Sequence, residues 1–233
     1  MTRAAVRGYT LIEIAIALVV IGLLLGGILK AYELIIGARV HTVISQQDGI
    51  KAAFYAFQER FRALPGDYAQ ALTLIPGASR NGNGNGRIED ATVPNEAILA
   101  WEHLSRSGFL TRTYAFDPAE SDATSPANAY GVYLRIVYDG IYGAGTAATP
   151  SQARHNLKTG SGIPVQITAE IDRKVDDGMP NTGVFQFSRY QGNATAAPAD
   201  GSTAAPSCTS ATTPDAVWNA TNGSTNCGGA SLL

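Results

Sequence analysis

Glu13 stands directly ahead of a run from Ile14 to Leu29 that holds no charged or strongly polar residue. A carboxylate opening a lipid-grade helix costs on the order of 2.5–3.5 kcal/mol at mid-membrane depth, so one placed there signals a function. The blander account puts Glu13 at the membrane interface, where it favours the positive end of the helix macrodipole. A second candidate is Asn81-Gly82-Asn83-Gly84-Asn85-Gly86-Arg87-Ile88-Glu89-Asp90. It sets side-chain oxygens at positions 1, 3 and 5, glycine at 6 and an apolar residue at 8, which is calcium-loop spacing. Asn81, Asn83, Asn85, the main-chain carbonyl of Arg87, and Glu89 or Asp90 would be the ligands. Thr92 stands where such loops carry their bidentate acid, and three neutral Asn bring no charge, so a mobile Asn-Gly turn series competes with the calcium site.

Other chemistry-bearing residues are less suggestive. Glu170, Asp172, Asp176 and Asp177 gather at a helix end and turn, and read as a solvated structural loop ahead of a metal site. His41, His103 and His155 are scattered, with His41 on a helix, His103 beside Trp101 and His155 in a loop, and a lone His is more often packed or polar than a ligand. Gly143-Ala144-Gly145 after a strand imitates a dinucleotide fingerprint, but Pro150 cuts short the helix that would follow and the next acid is Glu170. No serine elbow, zinc-protease helix or Walker phosphate-binding loop is present, so nothing visible supports catalysis.

The elements that must carry these residues follow from hydropathy. Of 233 residues 45 % are hydrophobic and only 15 % charged, against roughly 25 % charged in soluble domains. The balance of 17 basic and 19 acidic residues gives a net charge of −2, so no global basic footprint points to nucleic acid. Continued past Lys30 to Ile36, the apolar run makes a helix of about 34 Å, long enough to span a bilayer. Lys30 snorkels and Glu33 sits near the exit. Arg3 and Arg7 ahead of the run set the orientation N-in, C-out. Beyond it, Ile36, Val40, Val43, Gln47, Ile50, Phe54, Phe57 and Phe61 are spaced alternately by four and three, one face of a continuing helix that only Gln47 interrupts. Leu64-Pro65-Gly66-Asp67 stops it.

Further on, Glu96 to Leu110 reads as a helix, Ala129 to Tyr138 as a strand, Ile167 to Val175 as a short helix and Gly183 to Tyr190 as a second strand. From Gln191 to Leu233 the chain is rich in Ala, Thr, Ser, Gly, Asn and Pro and reads as loop. Cys208 and Cys227 lie in that exported tail, where disulfides persist, and are expected to pair.

The junction Gly8-Tyr9-Thr10-Leu11-Ile12-Glu13, followed at once by the apolar run, resembles the prepilin signature of bacterial type IV pilins and type II secretion pseudopilins. The resemblance implies cleavage between Gly8 and Tyr9 by prepilin peptidase, N-methylation of Tyr9 and an assembly role for Glu13. The family usually has phenylalanine where Tyr9 stands, and type IV pilins often have a helix-bending proline where Lys30 stands. Leu64 to Asp67, Trp101 to Leu104 and Ile171 to Gly178 also resemble segments of larger pilin-like proteins, extending the likeness over residues 8–183.

The expected fold is α+β, with a long N-terminal helix, membrane-spanning in its first half and amphipathic in its second, packed on a small antiparallel sheet with a loop-rich C-terminal region. Its parts are a leader (1–8), a transmembrane or filament-core helix (9–36), the amphipathic continuation (37–64), a globular head (65–190) and a disulfide-closed C-terminal region (191–233). The expected function is a structural, non-enzymatic subunit of a pilus-like filament, with copies of itself, other pilin-like subunits, prepilin peptidase and the inner membrane as partners, and calcium as the one candidate cofactor. The rival is a signal-anchored periplasmic calcium-dependent binding protein or enzyme that never polymerises.

Overall fold

The computed structural model describes residues 8–91, 93–201, 206–221 and 223–233. The leader residues other than Gly8, with Arg3 and Arg7, and Thr92 of the Asn-Gly loop lie outside the described residues. Helix α1 runs Leu11–Phe61, followed by α2 (Ala71–Leu74), α3 (Glu96–Arg106), β1 (Arg135–Asp139), β2 (Arg154–Lys158), α4 (Val165–Val175), β3 (Phe185–Phe187) and β4 (Gly229–Leu232).

The chain divides into two compact units, up to Arg39 and from Val40. In the first, α1 is exposed from Leu11 to Ile35, with Ile36 and Gly37 half-buried, and it is long and apolar enough to cross a membrane. Lys30 and Glu33 neutralise each other, Lys30 Nζ lying 2.9 Å from Glu33 Oε2 one turn on. In the second, α1 buries Val40, Val43, Gln47, Ile50, Ala53, Phe54 and Phe57, the face that the four-three spacing predicts. The helix ends at Phe61 rather than Leu64, because Arg62 takes φ +53° and closes the last turn with its N–H on Gln58 O at 2.9 Å.

Phe54 and Phe57 meet Trp101 and Leu104 of α3, Ile88, Tyr114, and Leu134, Ile136 and Leu157 of the sheet region in one core. Full burial of each such side chain stabilises by about 1.5–3 kcal/mol. Asn95 caps α3, its Oδ1 accepting from Ala97 N and Ile98 N. The helix stops at Arg106, short of the expected Leu110, since Gly108 turns the chain at φ +83°.

All four strands pair antiparallel in the order β1-β2-β4-β3. Both expected strands exist in shortened form, and two others were not expected. Arg154 to Lys158, read as loop around His155, is β2, paired residue for residue with β1. The last four strand residues of the tail, Gly229–Leu232, lie between β2 and β3, with Ser231 opposite both Leu157 and Phe185. Small residues suit that inner position: a Cβ on Gly229 would come within 2.2 Å of the Phe185 ring. The rest of the tail is loop, tied down by a Cys208–Cys227 disulfide with Cα atoms 5.6 Å apart.

Candidate functional site

The N-terminal motif is built by a helix start. Residues 8–10 are non-helical, Gly8 is exposed with nothing near a would-be Cβ, and Tyr9 is 78 % exposed. A non-helical, uncovered peptide bond between them is open to a peptidase. Thr10 caps α1: its Oγ1 accepts from Glu13 N at 3.3 Å, and its main-chain O accepts from Ile14 N. Thr10 and Glu13 thus stand at the N-cap and N3 positions of a capping box, a signal that was present in the sequence and that the membrane argument passed over. The cap fixes where the helix begins, and so holds Glu13 in its first turn, with the apolar run from Ile14 to Leu29, more than about four turns, between it and the next charge, Lys30. Every apolar side chain that follows, as far as Ile35, is uncovered.

The Asn-Gly loop is organised around carboxylates that the calcium spacing did not nominate. Asp67, from the turn after α1, accepts from Asn85 N at 2.9 Å and Gly86 N at 2.8 Å. Glu96, at the start of α3, accepts from Asn83 N at 2.9 Å and Glu89 N at 3.2 Å. The loop therefore points amides inward and cradles the protein's own anions. Burial pushes both carboxyls up, against the pull of these amides. Gly82 is required for the close approach, since a Cβ there would lie 2.2 Å from Gly66 O.

Each side chain that the spacing nominated already has a partner. Asn81 Oδ1 accepts from Leu72 N, Asn83 Oδ1 from Asn85 N and Asn85 Oδ1 from Arg87 N. Glu89 Oε2 accepts from Asn85 Nδ2, and Asp90 Oδ2 pairs with Arg135 at 2.9 Å. A cation entering the loop displaces or shares these bonds.

Two of the three histidines, His103 and His155, are packed, and His41 is exposed. His103 is fully buried, its Nδ1 accepting from Gly66 N at 3.0 Å, which leaves Nε2 to donate to Arg80 O at 3.1 Å. Burial holds it neutral by pushing its pKa down. His155 lies against Tyr138 and Phe54, with Nε2 accepting from Ile88 N. His41 contacts Ser45 on α1. The Gly143 segment opens no helix: Gly143 N donates to Phe187 O, and Arg189 holds the carbonyls of Gly143 and Gly145.

Asp172 is the strongly perturbed acid of the head. It is buried on α4, where its Oδ2 accepts from Trp218 Nε1 at 2.6 Å and its Oδ1 from Gly178 N at 3.3 Å. Asp176 and Asp177 place carboxylate oxygens within 4.8 Å of it and of each other. Desolvation first, then these like charges, raise its pKa to about 7, against the hydrogen bonds that favour its charged form. The contact clamps α4 to the loop that the disulfide closes.

Residues 3–29 match the family described as the prokaryotic N-terminal methylation motif. No curated protein and no solved structure matches the chain.

Proposed function

Because this chain carries the motif that marks the prepilin-like family of type IV pilins and pseudopilins, we propose that it is a structural subunit of a pilus-like filament, cut by prepilin peptidase and polymerised through α1. Hydrolysis of the Gly8–Tyr9 bond frees a cationic amine at Tyr9, which the family methylates. The membrane holds the subunit through α1, N-terminus in and head out. On assembly the apolar residues from Ile14 to Ile36 exchange lipid for neighbouring helices, and Glu13 meets the Tyr9 amine of an adjacent subunit. In that low-dielectric setting a paired carboxylate is tolerated where an isolated one is costly.

The observation that carries this reading is Glu13 itself, fixed by the Thr10 cap in the first turn of a helix whose apolar surface is otherwise bare. Glu13→Ala is expected to leave membrane abundance and head folding intact, because the head's core starts at Val40, while filament yield after shearing falls at least tenfold. Normal yield would remove the assembly role. N-terminal peptide mass analysis of assembled protein is expected to find a methylated Tyr9. Uncut chains beginning at Met1 in filaments would refute processing by prepilin peptidase, and chains that stay in the membrane and enter no filament would favour the non-polymerising anchored protein instead.

A further inference from the structure

Asn81-Gly82-Asn83-Gly84-Asn85-Gly86 makes three successive Asn-Gly steps. Such a step can react internally: the glycine nitrogen attacks the asparagine Cγ, ammonia leaves, and a five-membered succinimide remains, which water opens to aspartate or isoaspartate. Glycine favours the attack because it has no Cβ to obstruct it. Four features decide which step reacts. They are a group that takes the proton of the glycine N–H, a donor that steadies the charge building on Oδ1, an amide held with its nitrogen ready to leave, and access for water.

At Asn85 the fold assembles all four. Gly86 N donates to Asp67 Oδ2 at 2.8 Å, so the proton that must leave the nucleophile already points at a carboxylate. Asp67 is buried and fixed, its Oδ1 accepting from Asn85 N at 2.9 Å. Asn85 Oδ1 accepts from Arg87 N at 2.8 Å. That bond curls the side chain back over the Gly86 peptide and offers a main-chain amide to the developing oxyanion. Asn85 Nδ2 donates to Glu89 Oε2 at 2.8 Å, which fixes the amide plane and the position of the leaving nitrogen. Asn85 and Gly86 are exposed, and a Cβ on Gly86 would meet nothing within 4 Å, so water reaches the closed ring.

The neighbouring steps lack this set. Gly82 N donates to Tyr68 O and Gly84 N to Asp67 O, main-chain carbonyls that accept a hydrogen bond but do not take up a proton at neutral pH. Asn81 Oδ1 is turned to Leu72 N of α2, and Gly82 is clamped so closely that a Cβ would lie 2.2 Å from Gly66 O. Asn83 has the same side-chain turn as Asn85, its Oδ1 accepting from Asn85 N, and it is also exposed. Comparison of Asn83 with Asn85 therefore isolates the effect of the carboxylate.

We propose that Asn85 is a self-modification site, converted through a succinimide with Gly86 in which Asp67 is the proton acceptor. Gly86 N passes its proton to Asp67 Oδ2 as the N–Cγ bond forms. The Cγ–Nδ2 bond then breaks, and Nδ2 takes a proton back through water and leaves as ammonia, which restores the Asp67 carboxylate. Water adds to a ring carbonyl and one C–N bond opens. The net change is Asn and water to Asp or isoaspartate and ammonia, with no oxidant or cofactor. The product sets a carboxylate where Nδ2 donated to Glu89, so the loop loses that bond and the head gains a negative charge. The site lies wholly in the head and does not depend on filament formation.

The test incubates the full chain in neutral detergent micelles at neutral pH. Trypsin frees residues 81–87 as one peptide, cut after Arg80 and Arg87, and fragment masses assign each gain of about one dalton to its asparagine. Digestion in heavy-oxygen water marks any conversion that occurs during preparation. In the folded chain Asn85 is expected to convert at least about tenfold faster than Asn81 or Asn83, a fraction of what a positioned base contributes. In guanidinium chloride the three are expected to convert at similar rates, with Asn85 no faster than in the folded chain. Asp67→Asn, with circular dichroism unchanged, is expected to slow Asn85 at least about tenfold and to leave the denatured rates unaltered. Asp90→Asn removes an acid of the same loop that pairs with Arg135, and is expected to change the Asn85 rate less than about twofold. Equal rates at Asn83 and Asn85 in the folded chain, conversion of Asn85 only on denaturation, or an undiminished rate in folded Asp67→Asn would overturn the proposal. The comparison of folded with denatured chain needs no variant, so it decides the matter even where Asp67→Asn does not fold.

Discussion

Replacing Asp172 by Asn is expected to change the pH dependence of stability rather than stability at every pH. In the native head this carboxyl titrates near 7, against an ordinary value of 3.8. Below pH 3.8 native and unfolded chains both hold the proton, and the contribution is complete. Between 3.8 and 7 the native chain keeps a proton that the unfolded chain has released, so stability falls as pH rises, and above 7 the contribution is gone. The difference corresponds to at most about 4 kcal/mol. Solvent reaching the exposed Asp177 side screens part of the repulsion, leaving roughly 2 kcal/mol. Asn is neutral at all pH values and its carbonyl can still accept from Trp218. The variant should therefore match the unaltered protein near pH 4 and exceed it at pH 8 by about 4–8 °C in melting temperature, on the usual scaling for this size. Asp67 and Glu96, also raised, and His103 and His155, lowered, titrate alike in both proteins and cancel in the comparison, as does Lys51, which lies in the field of Asp176. Thermal melts followed by tryptophan fluorescence from pH 4 to 8 provide the assay. A difference that stays constant over this range would refute the linkage, because a purely steric or hydrogen-bonding effect has no reason to grow with pH.

Gln47 is buried in the apolar stripe of α1 with neither side-chain polar atom hydrogen-bonded, so Gln47→Leu should stabilise the head by about 1–2 kcal/mol; a lower melting temperature would show that the pocket does not take a branched chain. Cys208→Ser/Cys227→Ser should cost roughly 3 kcal/mol from loss of a 19-residue closure and should loosen the Trp218 contact, seen as a red-shifted emission. Asp67→Ala leaves the amide of Gly86 unpaired and Asn85 N with Asn83 Oδ1 alone, and should cost about 1–3 kcal/mol, measured by the same melts. For calcium we propose binding to the 81–90 loop no tighter than about 10⁻⁴–10⁻³ M, since neutral Asn oxygens already engaged bring little charge; a micromolar calorimetric isotherm would overturn that limit.

Much of α1, α3 and α4 was legible because helical periodicity is local: each apolar face repeats within the segment that buries it. The N-terminal methylation motif was legible for the same reason, being a few contiguous residues followed by a run of hydropathy. Even there, a local signal escaped. Thr10 caps the helix through Glu13 N, and the cost of a charge in lipid had drawn attention to the carboxylate alone.

What escaped elsewhere depends on residues far apart in the chain. Arg154-His155-Asn156-Leu157-Lys158 has no apolar alternation, and it is a strand because β1 and β4 flank it on both sides. Gly229 to Leu232 has weak strand propensity, yet its smallness admits it between β2 and β3, where Phe185 leaves no room for a Cβ. The spacing of the Asn-Gly loop suggested oxygen ligands turned inward, and spacing cannot report that Asp67 and Glu96 reach the loop's amides from other elements. Local composition set the helix faces and the membrane-grade segment, since those are properties of neighbours in sequence. The sheet order, the anion-filled loop and the Asp172–Trp218 clamp were decided by tertiary structure, because each joins partners whose approach costs chain entropy that only the assembled core offsets.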